Sequence, residues 1–150
     1  MRLSEATGLI IDDVKLDDPY PHILLQPHPW RQLKTQSSER MIPLVGASLW
    51  AAKRTSEATT NKFLFPRYCD EFRCKGNSAS AALNKWLSSR VPSGCVVHSF
   101  RRSFRDRLRA TKCPPDIIDR LGSWSVEGIG EAYGDGYPLG VLSRWIKSIL

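Results

Sequence analysis

HSFRRSFRDRLR, residues 98–109, decides how the rest of the chain is read. Phe100, Phe104 and Leu108 recur every fourth residue and share one side of a helix. His98, Arg101, Arg102, Arg105 and Arg109 gather on the other. A helix divided in this way buries its three apolar residues and presents a cationic side, with a titratable imidazole in its first turn. The expected span is about His98 to Lys112. The basic side is either a solvated face or a grip on an anionic partner.

The charge of the whole chain favours the second choice. The 150 residues carry a net charge of +7, with residues 1–50 summing to −1 and the remaining hundred to +8. Such an excess raises the expectation of a phosphate-bearing partner, mainly DNA or RNA. The length suits a single domain, 1–150. No run approaches the roughly 18 apolar residues of a membrane span, and MRLSEATGL lacks the pattern of a secretory signal, so a cytoplasmic location is expected. Among Cys69, Cys74, Cys95 and Cys113 only the first two are close, as C-x4-C. Without a second pair this is a poor zinc signature, and free thiols are expected.

RLSEATGLIIDDV reads as the last turns of a helix ending near Gly8, followed by a short exposed acidic segment. A helix with no capping residue ahead of it suggests the later part of something longer. PHILLQ, WRQLK and RMIPLV read as three short strands, with Pro21, Pro27 and Pro29 pointing to edges or bulges. TQSSE is turn-like and puts Lys34 at or just before a hairpin tip. Residues 46–60 and 77–90 are helix-like, and FLFPRY is a short buried connection between them. PPDIIDRLGSW begins a helix at its prolines and stops it at Gly122. A last helix is expected in PLGVLSRWIKSIL, from Val141, Leu142, Trp145, Ile146 and Ile149.

Four separated signals then line up. They are R-L-S-E at residues 2–5, Lys34 in LKTQSSERMIPL, H-S-F-R at 98–101, and LGSWSVEGIGEAY, where Trp124 stands nine residues before Tyr133. Together they resemble the catalytic domain of the tyrosine recombinase, or phage integrase, family, from residue 2 to about residue 137. The fold this implies is α+β and mostly helical, with a small antiparallel sheet near the N-terminus. Arg2, Lys34, His98, Arg101, Trp124 and Tyr133 fall in the family's order with family-like spacings. Against the family, the usual N-terminal DNA-binding domain and the first catalytic-domain helices would be missing ahead of Arg2.

The chemistry explains the residue types. Attack on a DNA phosphodiester builds a five-coordinate phosphorus with extra charge on its non-bridging oxygens. Arg2 and Arg101 can hold those oxygens with paired, charge-assisted hydrogen bonds. His98, a turn before Arg101, can donate a hydrogen bond or assist proton transfer. Trp124 offers an indole N–H. The resemblance makes Tyr133 the nucleophile, the product a 3′-phosphotyrosine, and Lys34 the general acid for the leaving 5′-oxygen. Arg102, Arg105 and Arg109 are candidates for neighbouring DNA phosphates, and Glu5 for orienting Arg2. No cofactor and no metal is expected; Asp12–Asp13 and Asp17–Asp18 read as a solvated loop.

Several choices stay open. Tyr137 in YGDGY is a rival nucleophile, and Ser123 competes with Trp124 for one position. The final apolar helix supports self-association on double-stranded DNA or packs on its own domain. The expected activity is site-specific recombination of a phage or mobile element. The alternatives are a DNA-binding remnant that does not cut and a topoisomerase-like relaxing enzyme.

Overall fold

Strand β2 (His22–Leu25) is the most apolar of the short strands, and it takes the central place. His22, Ile23 and Leu25 are buried, Leu25 completely. In the computed structural model, which describes residues 1–34, 38–124 and 136–150, β2 is flanked on both sides. On one side β1 (Val14–Lys15) runs antiparallel, with Val14 opposite Ile23. On the other β3 (Arg40–Pro43) runs antiparallel, with His22 opposite Pro43 and Leu25 opposite Arg40. Pro43, which has no N–H to give, is thereby confined to an edge strand.

Two of the three expected strands are therefore present, and WRQLK is not the third. Arg31 in that segment meets only His28, in an isolated bridge. Its guanidinium is drawn inward by Asp13, Gln26 and the Glu5 carbonyl, which overrides the alternation that suggests a strand. The missing strand comes from Val14–Lys15, at the end of the segment expected to be exposed acid. Asp13 there is fully buried.

Six helices accompany the sheet among the described residues: α1 (Leu3–Thr7), α2 (Gly46–Ala58), α3 (Gly76–Leu87), α4 (Ser99–Ala110), α5 (Pro115–Gly122) and α6 (Leu139–Lys147). The composition is α+β and mostly helical. One core joins Leu9, Ile23, Leu25, Leu44 and Leu64 under the sheet. A second joins Val45 to Leu108, Ile117, Ile118 and Leu121 of α4 and α5 and to Leu142 and Ile146 of α6. Each such leucine or isoleucine contributes about 1.5–3 kcal/mol by leaving water. The apolar side of α6 is thus part of its own domain's core.

Leu108 is fully buried and Phe104 packs against this core, but Phe100 is 65% exposed. The expectation that all three phenylalanine and leucine positions are buried is corrected at the first turn of α4, which runs past the core to the edge of a cleft. Pro115 opens α5 as expected. Its left-handed cap is Ser123 (φ 49°, ψ 50°), one residue beyond Gly122.

Cys69 and Cys74 form a disulfide, correcting the expectation of free thiols for this pair; Cys95 and Cys113 are free. The Asp70 carboxylate accepts from the N–H groups of Phe72 and Arg73 and closes a turn. That turn brings the two cysteine Cα atoms to 4.2 Å. Among the described residues no helix is long and apolar enough to cross a membrane.

Candidate active site

Helix α1 has five residues, too few to hold itself in water, so its placement depends on what its ends grip. Arg2 is its N-cap residue. The Arg2 backbone N–H donates to Glu5 Oε2 at 2.7 Å, and Arg2 Nη1 donates to Glu5 Oε1 at 2.7 Å. Nη1 also donates to Ser38 Oγ at 3.2 Å, and Nη2 to the Ser123 carbonyl at 3.4 Å. Glu5 is only 3% exposed. Burial alone would raise its carboxyl, but the two bonds from Arg2 and the charge of Arg40 outweigh it and hold Glu5 below the usual range.

Arg101 approaches the same point from α4. Its Nη2 donates to the Gly122 carbonyl and, at 3.4 Å, to the Ser123 carbonyl. Its guanidinium lies 4.5 Å from the centre of the Trp124 ring, and Arg105, one turn later, lies 4.8 Å from the same ring. Burial lowers the Arg101 pKa, the neighbouring Arg2 charge lowers it further, and Glu5 opposes both. Arg101 Nη1 is buried with no hydrogen-bond partner among the described residues. An anionic oxygen would relieve both the like-charge pair and this orphaned donor.

The C-terminal end of α5 makes this convergence possible. The left-handed turn at Ser123 aims its carbonyl toward both arginines, and Ser123 Oγ donates to Ser38 Oγ at 3.1 Å. Trp124 folds back over Gly122 so closely that a Cβ there would stand 1.7 Å from the indole. His98, the exposed residue before α4, lines a cleft of about 570 Å³ together with Arg2, Phe100, Arg101 and residues of α1 and α3.

Arg2, His98 and Arg101 thus share one cleft, and Trp124 lies against Arg101. Lys34 is exposed beside residues 35–37 and is not part of the cleft's described lining. Tyr133 falls within 125–135, outside the described residues. Tyr137 donates its hydroxyl to the Asp116 carboxylate at the start of α5. Arg102 is exposed, and Arg109 is exposed with Asp106 at 3.8 Å. Arg105 is engaged with Asp119 at 3.2 Å as well as with Trp124.

Sequence reasoning does not reach Ser38, Arg40 or the Ser123 carbonyl. Arg40 has the form of an ordinary basic residue opening a strand, and only Glu5, an acid inside an apolar segment, signals that a buried counter-charge is needed. Among the described residues no group of three or more His, Cys, Asp or Glu could hold a metal ion.

Two guanidiniums from distant parts of the chain, an imidazole and an indole can together hold an anion and stabilise charge that develops on it. Comparison with known proteins points the same way. The phage integrase family model matches residues 1–135. No curated protein and no solved structure matches the chain. The chain belongs to the phage integrase family, whose members are tyrosine recombinases that act on DNA.

Proposed function

We propose that this chain cuts and rejoins DNA site-specifically through a covalent link between Tyr133 and a DNA 3′-phosphate. The observation that carries this reading is the convergence of Arg2 and Arg101 on one carbonyl oxygen beside the cleft lined by His98. A scissile phosphate entering there replaces that carbonyl as the acceptor. Its two non-bridging oxygens take the guanidinium donors, including Arg101 Nη1, and His98 adds a further hydrogen bond. The Tyr133 oxygen attacks phosphorus and passes its proton to water, and the bond from phosphorus to the 5′-oxygen breaks. Lys34 supplies the proton that leaves with the 5′-hydroxyl. The phosphodiester is conserved as a phosphotyrosine, so a second 5′-hydroxyl can reverse the step without ATP.

Trp124 supports the site by lying under Arg101, where ring and cation attract and the guanidinium loses freedom to swing. Arg102 and Arg109, exposed on the same helix, fit phosphates on either side of the cut. Self-association on DNA belongs to this reading as its assembly step, and since the apolar side of α6 is taken up by its own core it would use other surface.

The test uses a pool of nicked duplexes with randomised sequence around the nick, so that the short cleaved fragment diffuses away and traps the adduct. A protein–DNA adduct that survives denaturation, disappears with Tyr133→Phe and persists with Tyr137→Phe is the expected result. Binding without an adduct in any version would favour a DNA-binding remnant. Relaxation of supercoiled plasmid without sequence preference would favour a relaxing enzyme.

A further inference from the structure

Arg40 is an arginine in β3 whose side chain is 1% exposed, an unusual place for a full charge. Its Nη2 lies 3.5 Å from Glu5 Oε2, and its Nη1 donates to the Ser38 carbonyl at 2.6 Å. Glu5 is the carboxylate that grips Arg2 on both its backbone and its side chain. Ser38 also carries the hydroxyl that accepts from Arg2 Nη1. One buried guanidinium therefore reaches both supports of Arg2, Ser38 by a hydrogen bond and Glu5 by charge alone, since Nη2 makes no hydrogen bond among the described residues. Stability alone is a poor reason for this Arg–Glu–Arg arrangement, because apolar replacements of buried ion pairs are often neutral or stabilising.

We propose that Arg40 is a positioning residue, which acts through Glu5 and Ser38 to fix the Arg2 guanidinium for an incoming phosphate oxygen. This rests on the reading of Arg2 and Arg101 as the phosphate grip. The charged and titratable groups facing Glu5 are Arg2 beside its own helix, Arg31 from the segment after β2, Arg40 from β3, Arg101 from α4, and the Met1 amino group, which burial and then Arg40 bring down to about 5, so that it is neutral at neutral pH. Arg40 is the buried member whose guanidinium reaches both Glu5 and Ser38. Its own pKa is brought down to about 10, first by burial and with Glu5 opposing, so it stays cationic at neutral pH. Without it the Glu5 carboxyl rises. Below the new value Glu5 takes a proton, loses its charge and releases its hold on Arg2.

The experiment uses the full chain with labelled arginine and glutamate side chains, and sulfate as the anion probe. Sulfate keeps its charge from about pH 4 to about pH 8, so any change in affinity belongs to the protein. In the unaltered chain the Arg2 and Arg101 Nε–H signals should shift on titration, and the affinity should not fall toward acid, since the Met1 amino group in the cleft, brought down to about 5 mainly by burial, gains its charge there. The Glu5 carboxyl signal should titrate below the usual carboxylate range. Relative to the unaltered chain at the same pH, Arg40→Gln should lose roughly tenfold more affinity at about pH 5 than at about pH 8, in step with a raised Glu5 titration. Arg40→Lys, which restores the charge, should recover most of the acid-side binding.

Glu5 titrating in the ordinary carboxylate range in the unaltered chain would overturn the proposal without any variant, so a failure of Arg40→Gln to fold does not shield it. So would Arg40→Gln binding sulfate with the unaltered pH profile. If the unaltered chain shows no shift of Arg2 or Arg101 with sulfate, the phosphate grip itself fails, and the proposal falls with it.

Discussion

Arg2 and Arg101 stand ninety-nine positions apart in the chain and donate to the same oxygen, the Ser123 carbonyl, at 3.4 Å each. Two like charges meet there only because opposite charge and dipoles surround them. Glu5 neutralises Arg2, the carbonyls at the end of α5 accept from both, and the Trp124 ring lies under Arg101.

Gly122 is the position on which this junction turns. A methyl group in the middle of a helix normally stabilises it by about 1 kcal/mol relative to glycine. Here the new Cβ would overlap the indole at 1.7 Å, so the collision outweighs the helix gain. Gly122→Ala should lower stability by about 1–3 kcal/mol in urea unfolding and weaken DNA binding, because Trp124 must leave Arg101. A variant as stable as the parent, with unchanged DNA affinity, would show that the stacking contributes nothing.

How much of this was legible in the sequence depends on how local each cause is. Leu108 and the prolines that open α5 declare themselves through helix spacing and φ alone. Phe100 has the same spacing as Phe104 and Leu108, but its exposure is set by where the core ends, which no four-residue pattern contains. WRQLK misleads because the partner that buries Arg31 is Asp13, eighteen residues earlier. The disulfide follows from a turn capped by the Asp70 carboxylate, and C-x4-C alone does not show whether the turn closes. The order of Arg2, His98 and Arg101 was readable, and all three line one cleft. The carbonyl on which the two arginines meet was not, since a backbone oxygen leaves no mark in the sequence.

Asp13 is fully buried and accepts from Arg31 Nη2 at 3.2 Å, lies 2.9 Å from His28 Nε2 and accepts from the Ile10 N–H at 3.3 Å. Asp13→Asn leaves the Arg31 guanidinium buried without its counter-charge. The expected cost is about 3–5 kcal/mol, and Arg31→Met in the same chain should recover a good part of it, since an apolar pair removes the stranded charge. Chemical denaturation of the four proteins of that cycle measures this. Additive costs would mean that the two residues are not coupled.

The Glu5 pKa is depressed in the folded chain, so its contribution is fully present above its unfolded value of about 4.3 and is lost as pH falls through the folded value. Stability should therefore decline on the acid side of about pH 4.3 with a component that Glu5→Gln removes. Glu5→Gln should also be less stable at neutral pH, because Arg2 and Arg40 lose their shared carboxylate. Thermal melts across the acid range separate the two effects. An identical pH slope in both proteins would exclude Glu5 as its source.

Reduction of the bond between Cys69 and Cys74 frees a loop closed at a sequence separation of five. Chain entropy for so short a loop gives about 2 kcal/mol, or a fall of about 4–8 °C in melting temperature for a chain of this size. Cys69→Ala should show the loss with or without reductant. Cys69 also packs with Ile10 and Phe63, so its deletion should cost somewhat more than reduction. Equal melting with and without reductant in the parent would mean that the bond adds no stability.

The arginines of α4 separate by what they touch inside the protein. Arg105 is paired with Asp119 and lies on Trp124, whereas Arg102 is exposed and Arg109 has only Asp106 at 3.8 Å across an exposed surface. A surface pair of that length holds little, about 0–1 kcal/mol, and yields readily to a phosphate. Arg102→Gln and Arg109→Gln should leave the melting temperature nearly unchanged. Each should flatten the dependence of log K for duplex DNA on log salt by about 0.9, the share of one phosphate contact. Arg105→Gln should instead lower the melting temperature, because it uncouples α4 from α5 before any DNA is present. If all three give the same salt slope as the parent, the basic side of α4 does not face the DNA backbone, and the excess charge of the chain must act elsewhere.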